Sequence, residues 1–247
     1  MNIKPLKVDL HIHTKEDKED RISYSAYQLI DEAALRDFDA LAITNHDTLT
    51  YSHELKSYAA ARGIVLIPGV EATIRGKHIL LVNMPFKNGS YNSFEDVFRQ
   101  KAANNLVIAP HPYFPGPDSL DGQLEAAPHL FDAVEYCHLR TDRIDFNRQA
   151  VRFAEKYGLP VVGNSDAHVL DQFGLAYSLV EAEKTPDAII EAIKAGQVKP
   201  VSQSLSLALA IRIFVRVAVT KNFTWTRPIE LTCTGVAVIK HLLDGRS

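Results

Sequence analysis

From residue 7 to residue 201 the sequence alternates between short runs of β-branched and aliphatic residues and stretches with helical periodicity. The runs fall at residues 7–10, 39–44, 64–68, 106–109, 132–136, 159–163 and 175–180, with a last one at 198–201. A further pair forms a hairpin over 72–83 that turns at Arg75-Gly76-Lys77. Helical patterns fill the gaps at 25–36, 51–62, 93–103, 144–157 and 186–195. Ser25, Ser93 and Thr185 stand at cap positions, Pro186 sits in a first turn, and Gly63, Gly158 and Gly196 act as stops. Strands spaced by helices predict βα units and a mostly parallel sheet, and this many strands suffice to close a barrel. The chain of 247 residues then divides into a (β/α) barrel domain over 1–201 and a tail over 202–247 that packs on the barrel or extends it. In the tail, Ser204, Ala208, Arg212 and Arg216 form one helical stripe, but the β-branched run at 211–219 suits a strand equally well.

Ten histidines stand out against one tryptophan and two methionines, and their positions are ordered. His11 and His13 follow the first expected strand, His46 the second, Glu71 the third, His111 the run ending at Ala109, and Asp166 and His168 the run ending at Gly163. In parallel α/β folds the C-terminal strand ends share one face, so five strand ends deliver imidazole or carboxylate to a single mouth. His78, in the hairpin arm, can fold back beside Glu71. Imidazole mixed with carboxylate suits zinc, manganese or iron rather than calcium or magnesium. A catalytic ion takes about three protein ligands and keeps a position open, so this donor set points to two or three divalent transition ions. His138 follows the strand at 132–136 and is a candidate substrate contact, whereas His53, His129 and His241 lack supporting context.

The motifs Asp9-Leu10-His11-Ile12-His13-Thr14, Ala42-Ile43-Thr44-Asn45-His46-Asp47, Gly69-Val70-Glu71, Ala109-Pro110-His111-Pro112 and Asn164-Ser165-Asp166-Ala167-His168, in that order, resemble the PHP (polymerase and histidinol phosphatase) domain family. The resemblance spans about residues 7–200 and leaves the tail outside. It implies a distorted seven-stranded (β/α) TIM-like barrel with a trinuclear metal site at the C-terminal strand ends. His11, His13, Glu71 and Asp166 would hold a first ion, with Glu71 bridging to a second that is bound also by His78 and His111. His46 and His168 would hold a third together with an acid from the loop after His13, where Asp20 is preferred and Asp17 is the alternative. The implied activity is hydrolysis of phosphoesters by a metal-bound hydroxide, with His46 or His168 as proton donor to the leaving oxygen. Lys15, Arg21, Arg140 and Arg143 are candidate phosphate contacts alongside His138.

A net charge of -3 argues against long nucleic acid as partner and leaves a small phosphorylated metabolite or nucleotide as the expected substrate. Two competing readings are an amidohydrolase-type C–N hydrolase, which also opens with HxH on a barrel, and a PHP scaffold without activity. Amidohydrolases typically bridge their metals through a modified lysine, whereas the bridging position here is Glu71. Scaffolds lose ligands, whereas the ligand positions here are filled. The apolar stretch at 205–219 carries Arg212 and Arg216 and is too short to span a membrane. With no readable signal peptide and no CxxC pair, a cytoplasmic location is expected.

Overall fold

The computed structural model describes residues 4–87, 89–138, 140–141 and 145–220. Arg143 and the tail beyond residue 220 lie outside the described residues. Nine strands form one sheet: β1 (Leu6–Asp9), β2 (Ala40–Ile43), β3 (Val65–Ile74), β4 (Lys77–Val82), β5 (Leu106–Ala109), β6 (Ala133–Cys137), β7 (Val161–Asn164), β8 (Ala176–Val180) and β9 (Val198–Ser202). The helices are α1 (Ala26–Leu35), α2 (His53–Ala60), α3 (Phe94–Arg99), α4 (Gly122–Ala126), α5 (Asn147–Tyr157), α6 (Pro186–Lys194) and α7 (Leu207–Thr220). The caps are local chemistry. Ser25 accepts from the Gln28 N–H while the Gln28 side chain reaches back to the Ser25 N–H, and Ser93 and Thr185 cap α3 and α6.

The sheet runs β7-β6-β5-β4-β3-β2-β1-β8-β9. Registers show β1, β2 and β3 parallel, β4 antiparallel to both neighbours, and β5, β6 and β7 parallel again. β8 runs against β1, and β9 against β8, so β9 points the same way as β1. Seven strands thus share one direction, and β4 and β8 oppose it. The sheet curls until β7 meets the β8–β9 pair: Ser178 Oγ donates to Gly163 O and accepts from Gly163 N, both at 3.0 Å. The result is a distorted, nearly closed barrel.

Three apolar layers hold it. The interior is lined by alternate strand residues such as Val8, Leu10, Ala42, Ile67, Leu80, Ile108 and Val162, and α6 plugs it with Ile189, Ile190 and Ile193. Outside, α1 and α2 pack Leu29, Ile30, Leu55 and Ala59 on one arc of strands, and α5 packs Ala150, Phe153 and Ala154 on the other. The segment 207–220 is a helix, which settles the ambiguity in its sequence. It lies across the C-terminal face. Leu205 N–H donates to Arg140 O, Arg212 and Arg216 pair with Asp171, and Thr220 O accepts from Arg21 N–H.

Three expectations shift in detail. β3 continues through Glu71 to Ile74, so Glu71 lies within the strand opposite Leu80 rather than after its end. The helix expected at 93–103 stops at Arg99. α4 joins the list from a segment whose pattern predicted nothing.

Candidate metal centre

His11 and His13 lie two residues apart, just past the end of β1. Alternation turns both into the barrel while Ile12 joins the core under α1. An isolated bridge between Ile12 and Ala167 and another between His46 and Glu71 tie the strand-end loops together. Asn45 fixes the loop after β1, accepting from Thr14 N–H at 2.7 Å and donating to Thr14 Oγ1 at 2.9 Å. His111 and Asp166 sit at positive φ, 27° and 46°, a conformation that costs backbone energy in residues with a Cβ and concentrates at functional sites.

Glu71 is the centre of the constellation and is 1% exposed. Its Oε2 faces His11 Nε2 at 3.2 Å, His13 Nε2 at 3.2 Å and His46 Nε2 at 3.3 Å. Its Oε1 faces His78 Nδ1 at 2.9 Å and His111 Nε2 at 3.2 Å. Asp166 Oδ1 adds contacts of 3.3 Å to both His11 Nε2 and His13 Nε2. His168 Nε2 lies 2.9 Å from Asp20 Oδ2, and His168 Nδ1 lies 3.5 Å from Asp166 Oδ1.

Four sets of donor atoms converge closely enough to share an ion: His11, His13 and Glu71; His11, His111 and Asp166; His46, Glu71 and His78; and His13, His46 and His168. The structure therefore gathers all eight of the strand-end and hairpin ligand candidates. His46 is drawn towards Glu71 and His78 as well as towards His168, a wider reach than the resemblance implies.

Behind the donors stand two carboxylates. Glu135, fully buried on β6, meets His11 Nδ1 at 3.0 Å and accepts from His111 N–H at 2.8 Å and Asn164 Nδ2 at 2.9 Å. Asp17 Oδ2 meets His13 Nδ1 at 3.0 Å and His46 Nδ1 at 2.9 Å, and accepts from His46 N–H at 2.8 Å. Asp17 is thus engaged from behind, while Asp20 stands beside His168. An Nδ1 that donates to a carboxylate leaves the Nε2 lone pair facing inward, the arrangement that metal-ligating histidines adopt. His11 Nε2 and His13 Nε2 are only 3.2 Å apart. Two lone pairs at that separation repel unless a cation or a proton lies between them, so the donor set fits divalent ions.

The electrostatics agree. Burial works against a charged His11 ring, but Glu135, Asp166 and Glu71 outweigh it and raise its pKa well above the ordinary value. His13 behaves likewise, burial being overcome by hydrogen bonds to Asp166, Asp17 and Glu71. His111 is raised to about 9, burial being overcome by Glu71, Asp166 and Glu135. Burial alone would raise Glu71, yet His78, His11 and His46 hold it well below the carboxylate range. The pocket demands positive charge.

His138 and Arg140, both near the end of β6, occupy different settings. His138 is buried, and burial pushes its imidazole down to about 4. Arg140 is partly exposed, 3.8 Å from Asp145, and Lys15 and Arg21 are exposed on the loop after β1. Glu135 and Gln172 escaped the sequence reading. A glutamate inside the apolar run Ala133–Cys137 is a signal that points to Glu135, whereas nothing in the loop around Gln172 marks that residue.

Residues 145–198 match a family described as PHP-associated. An uncharacterised protein of Methanocaldococcus jannaschii is 29% identical over 198 residues, covering 74% of this chain and 75% of its own length. Among solved structures, a two-domain protein of Bacteroides vulgatus containing a predicted PHP-like metal-dependent phosphoesterase superposes with a TM-score of 0.65 at 18% identity, over 87% of this chain and 71% of that one. PsfC of Pseudomonas syringae superposes with a TM-score of 0.61 at 20% identity, over 88% and 98%. Among the described residues no helix is long and apolar enough to cross a membrane. The chain thus shares the fold of these solved structures, and its segment 145–198 matches the PHP-associated family.

Proposed function

We propose that the chain is a metal-dependent phosphoesterase acting on a small phosphorylated metabolite or nucleotide. The observation that carries this reading is the division of labour at Glu71, whose two oxygens face separate groups of imidazole nitrogens. A carboxylate so placed suits a bridge between two ions. His11, His13, Glu71 and Asp166 would hold one ion and Glu71, His78 and His111 a second, with His46, His168 and Asp20 holding a third. Zinc, manganese and iron all suit the donor types. Bound there, such ions would lower the pKa of water and offset charge on phosphoryl oxygens.

The chain's own groups do the rest. Glu135 and Asp17 orient the ligand rings from behind. Whichever of His168 and His46 is not committed to an ion would supply the proton to the leaving oxygen. Lys15, Arg21 and Arg140 place positive charge around the mouth, where a phosphate would arrive; the same role for Arg143 falls outside the described residues. Glu71 at the bridging position, with its two oxygens facing separate imidazole groups, favours phosphoester over C–N hydrolysis. The filled donor set speaks against a scaffold role.

Elemental analysis and a phosphoester screen with added manganese or zinc test the reading. The expected result is two or three transition ions per chain and turnover of a phosphomonoester or diester. His11→Ala should reduce that turnover by roughly 100-fold or more. Fully metallated protein that turns over no phosphoester, or a His11→Ala variant equal to wild type, overturns it.

A further inference from the structure

Gln172, 2% exposed, is hydrogen-bonded in a way that leaves one orientation of its amide. Its Oε1 accepts from two backbone donors, His168 N–H at 2.9 Å and Val169 N–H at 3.0 Å. The other end, Nε2, therefore carries the two hydrogens. It lies 3.3 Å from Asp166 O and 3.1 Å from His138 Nε2. An amide nitrogen has no lone pair to offer, so His138 Nε2 must accept and the ring proton must sit on Nδ1. The other tautomer would set N–H against N–H.

That Nδ1–H is left over. His138 is 2% exposed, and its Nδ1 has no hydrogen-bond partner among the described residues. A buried donor without a partner is costly, and native structures rarely keep one that nothing uses. His138 stands one residue past β6, where Cys137 pairs with Asn164, so it lies level with Ser165 and Asp166 at the mouth. Two residues on, Arg140 Nε is also buried without a hydrogen-bond partner among the described residues. Among the described residues, one strand end thus presents two donors without hydrogen-bond partners beside the donor cluster.

We propose that His138, held by Gln172 as the Nδ1–H tautomer, donates a hydrogen bond to a substrate phosphoryl oxygen. The proposal rests on the phosphoesterase reading and deepens it by naming a specificity contact and its positioning residue. A neutral donor suits this place: beside bound cations a protonated ring would be repelled, whereas an uncharged N–H still bonds an anionic oxygen. The same tautomer bars His138 from ligating an ion through Nδ1.

Inorganic phosphate is the probe, and zinc-loaded protein gives a diamagnetic sample. Long-range proton–nitrogen NMR should show His138 protonated at Nδ1, with that resonance moving on phosphate addition. By titration calorimetry, His138→Leu should weaken phosphate binding about tenfold at unchanged zinc content, the loss expected for one hydrogen bond to a charged group. His138→Asn, whose amide can reach the Nδ1 position, should recover most of it. Gln172→Glu offers an acceptor to Nε2, and should switch the tautomer and weaken phosphate binding with His138 intact.

An Nε2–H tautomer in wild type overturns the proposal, as does a phosphate affinity that His138→Leu leaves unchanged. The tautomer measurement on wild type remains decisive if His138→Leu does not fold. If wild type hydrolyses phosphoesters while His138→Leu binds phosphate normally, the inference falls and the phosphoesterase reading stands. If wild type neither binds phosphate nor hydrolyses any phosphoester, that reading falls and takes the inference with it.

Discussion

Glu135 and Asp17 decide which nitrogen His11, His13 and His46 turn inward. Both accept from Nδ1 atoms, and both also accept backbone N–H groups, so their own positions are fixed by main chain. Replacing Glu135 with Gln keeps the shape but sets an NH2 among three donors: His11 Nδ1, His111 N and Asn164 Nδ2. Loss of such a carboxylate behind a ligand typically costs about 10–100-fold in metal affinity. Chelator competition should show a fall of that size for Glu135→Gln, with the far-ultraviolet circular dichroism of wild type. An affinity within twofold of wild type would remove Glu135 from the centre. The convergence of the donors could be read from sequence because alternation and strand-end position are local properties: His11 and His13 share a face by counting alone. Glu135 needed the knowledge that β6 lies beside β5 and β7, and Gln172 sits in a loop with no periodicity to read. The positive φ at His111 and Asp166 is likewise imposed by tertiary structure and leaves no mark on composition.

At the scale of elements, the strands were legible and their directions were not. Residues 175–180 and 198–201 read as two more strands of a βα series, with a helical pattern at 186–195 between them. Instead β8 reverses, and α6 returns along the barrel bottom to seal its interior with Ile189, Ile190 and Ile193. Hydrophobic pattern reports burial, and a plug and an outer helix both bury an apolar stripe. Closure then depends on Gly163. A Cβ there would lie 2.5 Å from Tyr177 O and 3.3 Å from Pro200 Cα, both backbone atoms that cannot swing aside. Gly163→Ala should therefore lower stability by roughly 3 kcal/mol, the upper part of the usual range for overpacking. A denaturant midpoint unchanged by that substitution would mean that β7 does not close on β8 and β9 as described. The tail shows the same limit of local reading. Its stripe of Ser204, Ala208, Arg212 and Arg216 specifies a helix face but not its neighbour, and that neighbour includes Asp171, just past the Asp166–His168 motif.

Across the whole molecule, the centre gathers five carboxylates, Asp17, Asp20, Glu71, Glu135 and Asp166, into a region where water is scarce. In a chain of net charge -3 this local excess of negative charge must be met by protons or by ions. The two compete for the same imidazoles. His111 in the metal-free protein is held to about 9, above its ordinary 6.5, so at pH 7.5 it carries a proton that a metal ion has to displace. Calorimetry in buffers of different ionisation enthalpy should accordingly report net proton release on zinc or manganese binding, and binding should tighten as pH rises towards 9. Stability follows with a definite sign. A group whose folded pKa is raised stabilises fully below its unfolded value and loses that contribution as pH rises through the folded one. Metal-free protein should therefore lose stability between about pH 6.5 and 9, whereas in metal-loaded protein His111 is already neutral and bound. At 100 times the dissociation constant an ion adds about 2.7 kcal/mol, and in a chain of this size each kcal/mol moves the melting temperature by about 2–4 °C. The gap in melting temperature between metal-loaded and chelator-treated protein should thus be about 5–10 °C near neutrality and widen as pH is raised to 9. A gap that narrows over that range would show that protons, not ions, are what the histidine cluster is built to hold.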